Sequence, residues 1–239
     1  RDFGRHLFSN AGFLDASGFN RSYWMLNDQW PAFNFAHQSP QAGQIVVFDE
    51  TRTYAAKCFL RRNMLSPQAF PATDGYYLVA DRSENRPVAV KSDGKEGPEF
   101  MRWLPQEGQL QTCWNLGVGF ARSEPAEWIN VLPVRIEAMV LTGDALFVAG
   151  PPDVCDADDP AAGLEGRAGG LLTAFDPGDG TKQIERKLEI PPVFDGMVAA
   201  CGSLFISQHD GSILCLGSDT VVDRSAIKAK VRQASNDKH

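Results

Sequence analysis

One pattern constrains the fold of this chain more than any other: a short apolar run, a tight polar turn and a second apolar run, repeated along the sequence. The clearest copy is FDGMVAACGSLFISQHDGSILCLG, residues 194–217. GMVAACG reads as a strand, Gly202-Ser203 as a turn and SLFISQ as a second strand. His209-Asp210-Gly211 then reads as a second turn and SILCLGS as a third strand. Asp-Gly between apolar runs is a strong hairpin signal, because both residues tolerate the positive φ that such turns require. The stretch predicts a three-stranded antiparallel meander with one apolar face.

The same arrangement recurs upstream. AMVLTGDALFVAG (138–150) aligns with GMVAACGSLFISQ, placing Met139 on Met197 and Leu146-Phe147 on Leu204-Phe205, with Gly143 one residue out of step with Gly202. GGLLTAFDPGDGTKQIERKLEIPP (169–192) adds a strand, an Asp-Pro-Gly-Asp-Gly turn and another strand, so residues 134–190 predict a four-stranded unit. QIVVFDETRTYAAKCF (44–59) gives a pair of strands around Asp49-Glu50, and YYLVADRSENRPVAVKS (76–92) a pair around SENRP. A four-stranded antiparallel unit repeated at such a period is the signature of propeller blades. One blade buries only the face it shares with a neighbour, so it needs that neighbour to be stable. The chain is therefore expected to be an all-β β-propeller of four-stranded antiparallel blades over residues 1–219, with residues 220–239 a polar tail, a short helix or disordered. Three to four blades fall at or below the low end of the roughly four to eight in closed rings, which predicts an incomplete ring. The opening RDFGRHLFSN lacks a Met and reads as text from within a domain, so the chain is expected to be the C-terminal arc of a longer one.

A net charge of −7 over 239 residues argues against nucleic-acid binding, which needs a basic face; KAKVR (228–232) is the only basic run. No run of eighteen or more apolar residues offers a membrane span. Cys58, Cys113, Cys155, Cys201 and Cys215 form no CxxC, so zinc-ribbon and thioredoxin-type chemistry has no support. Cys201 and Cys215 lie one hairpin apart: they are placed to approach each other, and read otherwise as small buried hydrophobes.

LLTAFDPGDGTKQI resembles the repeat of pyrroloquinoline-quinone (PQQ)-type propellers, which runs roughly ALD-x-x-TG-x-x-x-W: Ala174, Phe175, Asp176, Gly180 and Ile184 lie on it, with Ile where Trp is usual. PPVFDGMVAACGSLFISQHDGSILCLG and AMVLTGDALFVAGPPD look like further repeats. Together with GFLDASGFNRSYWMLND and AGQIVVFDE, they make most of the chain similar to the C-terminal part of planctomycete-type PQQ-like β-propeller repeat proteins. The resemblance implies a non-catalytic, extracytoplasmic or periplasmic module that serves as a rigid scaffold for a protein or ligand, or for the remaining propeller half. It also implies an alternative, part of a quinoprotein-type oxidoreductase using PQQ and calcium, with most of the site on missing N-terminal blades. The chain lacks the vicinal Cys-Cys of those dehydrogenases.

Three groups of residues carry possible chemistry. PDVCDADDPAAGLEG (152–166) gathers Asp153, Asp156, Asp158, Asp159 and Glu165 in one loop; oxygen-rich loops can hold Ca²⁺, but this spacing is not an EF-hand and the loop reads first as a solvated link between blades. NRSYWMLNDQWPAFNF (20–35) is dense in aromatic residues; Arg21, Tyr23, Trp24 and Trp30 are a candidate binding surface, since such residues dominate hot spots, or else simple packing. His209 sits at a turn between Ser207 and Asp210, too tightly held for the three to align as a triad. Trp103, Trp114 and Trp128 lie in a poorly periodic stretch and are expected to anchor it to the core.

Overall fold

The structure, a computed structural model, describes residues 6–9, 24–27, 41–57, 76–85, 87–91, 118–163 and 165–217. Among these the regular elements are all strands, and every pairing between them is antiparallel. β1 (His6–Ser9), β2 (Trp24–Asn27) and β3 (Ala42–Gly43) form the first sheet. Only Gln44 separates β3 from β4 (Ile45–Phe48), so one extended stretch leaves β2 and joins β5 (Arg52–Lys57). β6 (Tyr76–Arg82) follows, then a separate ribbon of β7 (Pro87–Lys91) and β8 (Val118–Arg122), then β9 (Trp128–Leu132). The second sheet has the order β4-β5-β6-β9. β10 (Ala138–Leu141), β11 (Leu146–Gly150), β12 (Gly170–Phe175) and β13 (Lys182–Leu188) form the third, in chain order. β14 (Pro192–Ala200), β15 (Ser203–Gln208) and β16 (Ile213–Gly217) form the fourth.

These strands form where the alternation of apolar residues allows one face to be buried. Ile45, Tyr54, Ala56, Tyr76, Leu78, Ala80 and Trp128 of the second sheet pack onto Ile136, Met139, Leu146, Val148 and Phe175 of the third or its approach. The opposite face of the third sheet, with Ala138, Ala149, Leu172 and Leu188, packs onto Met197, Leu204 and Ile206 of the fourth. The third sheet is thus covered on both sides. Each fully buried Leu, Ile or Val contributes about 1.5–3 kcal/mol of transfer free energy. β10 packs against both β4 and β14, so the first strands of three successive sheets stand side by side.

Trp128 and Tyr54 clasp the neighbouring sheet. The rings are 5.9 Å apart, and Tyr54 Oη and Trp128 Nε1 each donate to the Pro177 carbonyl at 3.1 Å. Asn130 Nδ2 donates to the Gly180 carbonyl at 2.7 Å. Gly180 has φ +74°, and a Cβ there would stand 2.7 Å from the Trp128 ring, so both conformation and space demand glycine. This explains the Asp-Pro-Gly-Asp-Gly sequence: it makes a turn and seats an indole.

The two alignable repeats are equivalent in three dimensions. Met139 lies opposite Val148 and Met197 opposite Ile206; Leu141 lies opposite Leu146 and Ala199 opposite Leu204. The hairpin around Asp49-Glu50 and the strands of 134–190 form as expected.

Three local expectations are corrected. The SENRP segment does not join a strand pair: β6 pairs with β5 and β9, whereas β7 pairs with β8. Buried Asn85 explains the departure. Its amide donates to Asp81 Oδ1 and to the Glu124 carbonyl, and its oxygen accepts from Ser123 Oγ and the Glu124 N–H. These bonds clamp the two ends of the β7–β8 excursion together, while Gln41 Nε2 donates to the carbonyls of Arg82, Ser83 and Asn85. The first turn of the fourth sheet is Cys201-Gly202, not Gly202-Ser203; both turn residues have positive φ (52° and 71°), and Ser203 already belongs to β15. Cys201 and Cys215 are exposed free thiols rather than buried hydrophobes, because one lies in that turn and the other on the outward face of β16. The tail 220–239 lies outside the described residues.

Candidate functional site

The strongest concentration of unusual chemistry lies where the third and fourth sheets meet beside β10 and β14. β14 contains a bulge: Pro192 faces Gln208 and Met197 faces Ile206, so Val193–Gly196 stand against Ser207 alone. Bulges re-aim side chains at the edge of a sheet. Here Phe194 packs against the cluster shared by the second and third sheets, and Asp195 takes φ 55°, rare for a residue other than glycine. The Asp195 N–H donates to the Glu137 carbonyl at 2.7 Å, and the Glu137 N–H donates to the Ala149 carbonyl at 3.0 Å. The Glu137 backbone therefore ties the two sheets together.

The Glu137 side chain is only 19% exposed, and its Oε2 lies 3.8 Å from His209 Nε2. Burial raises the carboxyl from 4.5 to about 7, against a smaller opposing pull from the Arg135 guanidinium. Partial burial also raises the Asp195 carboxyl above its ordinary value. His209 is held by its own N–H donating to the Pro191 carbonyl at 3.1 Å, and Gln208 Nε2 donates to the Ile190 carbonyl at 2.7 Å. Gly166 approaches from the acidic loop with φ +77°; a Cβ there would stand 3.1 Å from His209 Nδ1. The arrangement sets a buried carboxyl, raised by burial to about 7, beside an imidazole, next to the bulge of β14 where two sheets join.

The expected site residues fall elsewhere. Trp24 lies on β2, half-buried, opposite Ser9 and Gly43. Arg21, Tyr23 and Trp30 lie outside the described residues, as do Trp103 and Trp114. Trp128 is not in an irregular stretch but on β9, and it does anchor to the core. The acidic loop joins β11 to β12. Asp153 is buried near the end of β11, and its N–H donates to the Pro133 carbonyl at 2.8 Å. Asp156 accepts the Asp158 N–H at 2.9 Å, and Arg167 pairs with Asp159 and Glu165. Among the described residues, no three His, Cys, Asp or Glu side chains gather as a metal-holding group. Asp210 accepts the Ser212 N–H at 2.9 Å within its own turn. His209 therefore has Glu137 beside it, a residue 72 positions earlier that sequence reasoning missed. The available signal was VRIEAM (134–139), where a carboxylate interrupts an apolar run leading into a buried strand.

Comparison of the chain with protein-family models, with curated proteins and with solved structures gives no match.

Proposed function

We propose that the chain is an arc of a PQQ-like β-propeller that serves as a non-catalytic scaffold, presenting loops for a protein or ligand. One observation carries the reading: β4, β10 and β14, the first strands of successive antiparallel sheets, pack side by side while the sheets stack face to face. Blades around a channel require that geometry. The Trp128–Gly180 clasp supports it further. Trp128 opposes Ala80 on the fourth strand of its sheet, as Ile184 opposes Ala174 in the next. The resembled repeat carries its Trp at that position.

A rigid stack with irregular connections suits binding, because loops vary while sheets hold them. The Glu137–His209 edge is the part of this surface with chemical character, and it favours a polar or protonatable group on whatever docks there. The rival reading, a quinoprotein oxidoreductase, is separated by one experiment. The purified chain is mixed with PQQ and Ca²⁺ and then desalted. The scaffold reading expects no quinone absorbance to remain with the protein; retained absorbance would overturn it.

A further inference from the structure

Glu137 touches β14 at two points. Its carbonyl accepts the Asp195 N–H at 2.7 Å, inside the bulge. Its side chain meets His209, whose own N–H holds the Pro191 carbonyl immediately before β14 begins. Between these two points lies the bulge. Phe194 packs into the cluster of the second and third sheets. Asp195 holds φ 55°, a sparsely populated conformation that persists only where surrounding contacts impose it. Gly196 is needed by close approach: a Cβ there would stand 2.5 Å from Val193 Cγ2 and 2.8 Å from the Val193 carbonyl oxygen. The bulge is therefore folded tightly on itself and able to move as a unit. Among the described residues no donor reaches the Glu137 carboxyl within hydrogen-bond distance, although the side chain is largely buried. A charge on this group would lack both water and hydrogen-bond donors.

We propose that Glu137 is a pH-operated latch on the β14 bulge: with its carboxyl protonated the bulge stays docked on the third sheet, and with the carboxyl ionised the bulge is released while the sheets remain folded. Burial without a donor disfavours the charge and raises the carboxyl from 4.5 to about 7 in the docked state. Release carries the ionised group into water. Between those two values the docked form keeps a proton that the released form loses, so release gains with rising pH through that window and is level above it. The groups around this carboxyl carry both signs. Arg135, on the same segment, draws it down, and His209 approaches from the turn between β15 and β16. Asp195 belongs to the bulge itself, and burial raises its carboxyl too. β11 offers only the Ala149 carbonyl, which accepts the Glu137 N–H. The acidic loop brings Gly166 to His209, and Glu165 and Arg167 on either side pair with each other. Asp210 accepts the Ser212 N–H within its own turn. The inference is independent of the scaffold reading, since it concerns only how the third and fourth sheets are joined.

The Asp195 amide reports the latch, because its hydrogen bond to Glu137 breaks on release. Hydrogen exchange is followed by NMR on the full chain, and each rate is divided by the intrinsic chemical rate at that pH. The corrected Asp195 rate is expected to be about tenfold or more higher at pH 7.5 than at pH 5, and to rise no further by pH 8.5. The β11 amides, in the middle of the third sheet, are expected to exchange about tenfold or more slowly than Asp195 at pH 7.5. Glu137→Gln is expected to flatten the Asp195 profile. Asp195→Asn, which also tolerates positive φ, is expected to keep the rise. A level profile in the parent chain would overturn the proposal, as would a rise that survives in Glu137→Gln. Loss of the rise in Asp195→Asn would move the switch to the other carboxyl and overturn it as well. Coincident rates for Asp195 and β11 would overturn it too, since they mark unfolding of the whole chain rather than release of the bulge.

Discussion

Glu137 shows how one buried carboxyl links stability to pH. Its pKa lies at about 7 when folded, against 4.5 as the ordinary value, so between these values the folded chain holds a proton that the unfolded chain releases. The contribution is complete below the lower value and is lost as pH rises through the upper one. Each unit corresponds to about 1.4 kcal/mol, so ionising Glu137 in place costs on the order of 3 kcal/mol above neutrality. Arg135 is the cation and His209 the imidazole beside this carboxyl, and Asp195 is the second carboxyl, on the adjoining bulge. Glu137→Gln keeps the shape and removes the titration. The variant is expected to melt with the parent at pH 5 and several degrees higher at pH 8.5. Coincident thermal midpoints at both pH values would show that the carboxyl reaches water when ionised. Nothing local in VRIEAM names His209 as the neighbour; that meeting depends on the bulge of β14 and on Gly166 leaving room for the imidazole.

Single elements here act mainly by holding the next one. β9 is short, but its Trp128 fills the space over Gly180 and its indole N–H satisfies the Pro177 carbonyl. Trp128→Ala is expected to lose about 3–5 kcal/mol, the usual range for a buried aromatic residue. Trp128→Phe keeps most of the apolar surface and forfeits the hydrogen bond, for a loss of about 1–2 kcal/mol. Denaturant midpoints of the two variants check the order; equal losses would mean that the N–H, not the ring's bulk, is what matters. The sequence announced an anchoring Trp and a Gly-rich turn separately. It did not announce that one seats the other, because they lie 52 residues apart and belong to different sheets. The β7–β8 ribbon is the converse case. SENRP looks like a hairpin turn, yet Asn85 and Gln41 spend their hydrogen bonds closing the base of an excursion, and β9 takes the place beside β6.

At the scale of the whole molecule, the third sheet is the shared member. Leu146 on β11 is fully buried in the cluster between the second and third sheets, while Ala149 on the same strand belongs to the cluster between the third and fourth. A cavity on one face should therefore weaken both junctions. Leu146→Ala is expected to cost about 2–5 kcal/mol and to shift a single unfolding transition without splitting it. Indole fluorescence and far-UV circular dichroism followed through the same denaturant titration check this, and two separated transitions would show that the sheets unfold independently.

The sequence by itself determined the all-β class, most of the hairpins and the equivalence of residues 138–150 with 196–208. These rest on a period of two and on turn chemistry, both of which act between residues close in the chain. Tertiary structure alone decided that β9 rather than β7 borders β6, that Cys201 and Cys215 face outward, and that Glu137 meets His209. In each case the outcome is a competition among distant partners for buried surface and hydrogen bonds, and no short stretch of sequence contains both competitors.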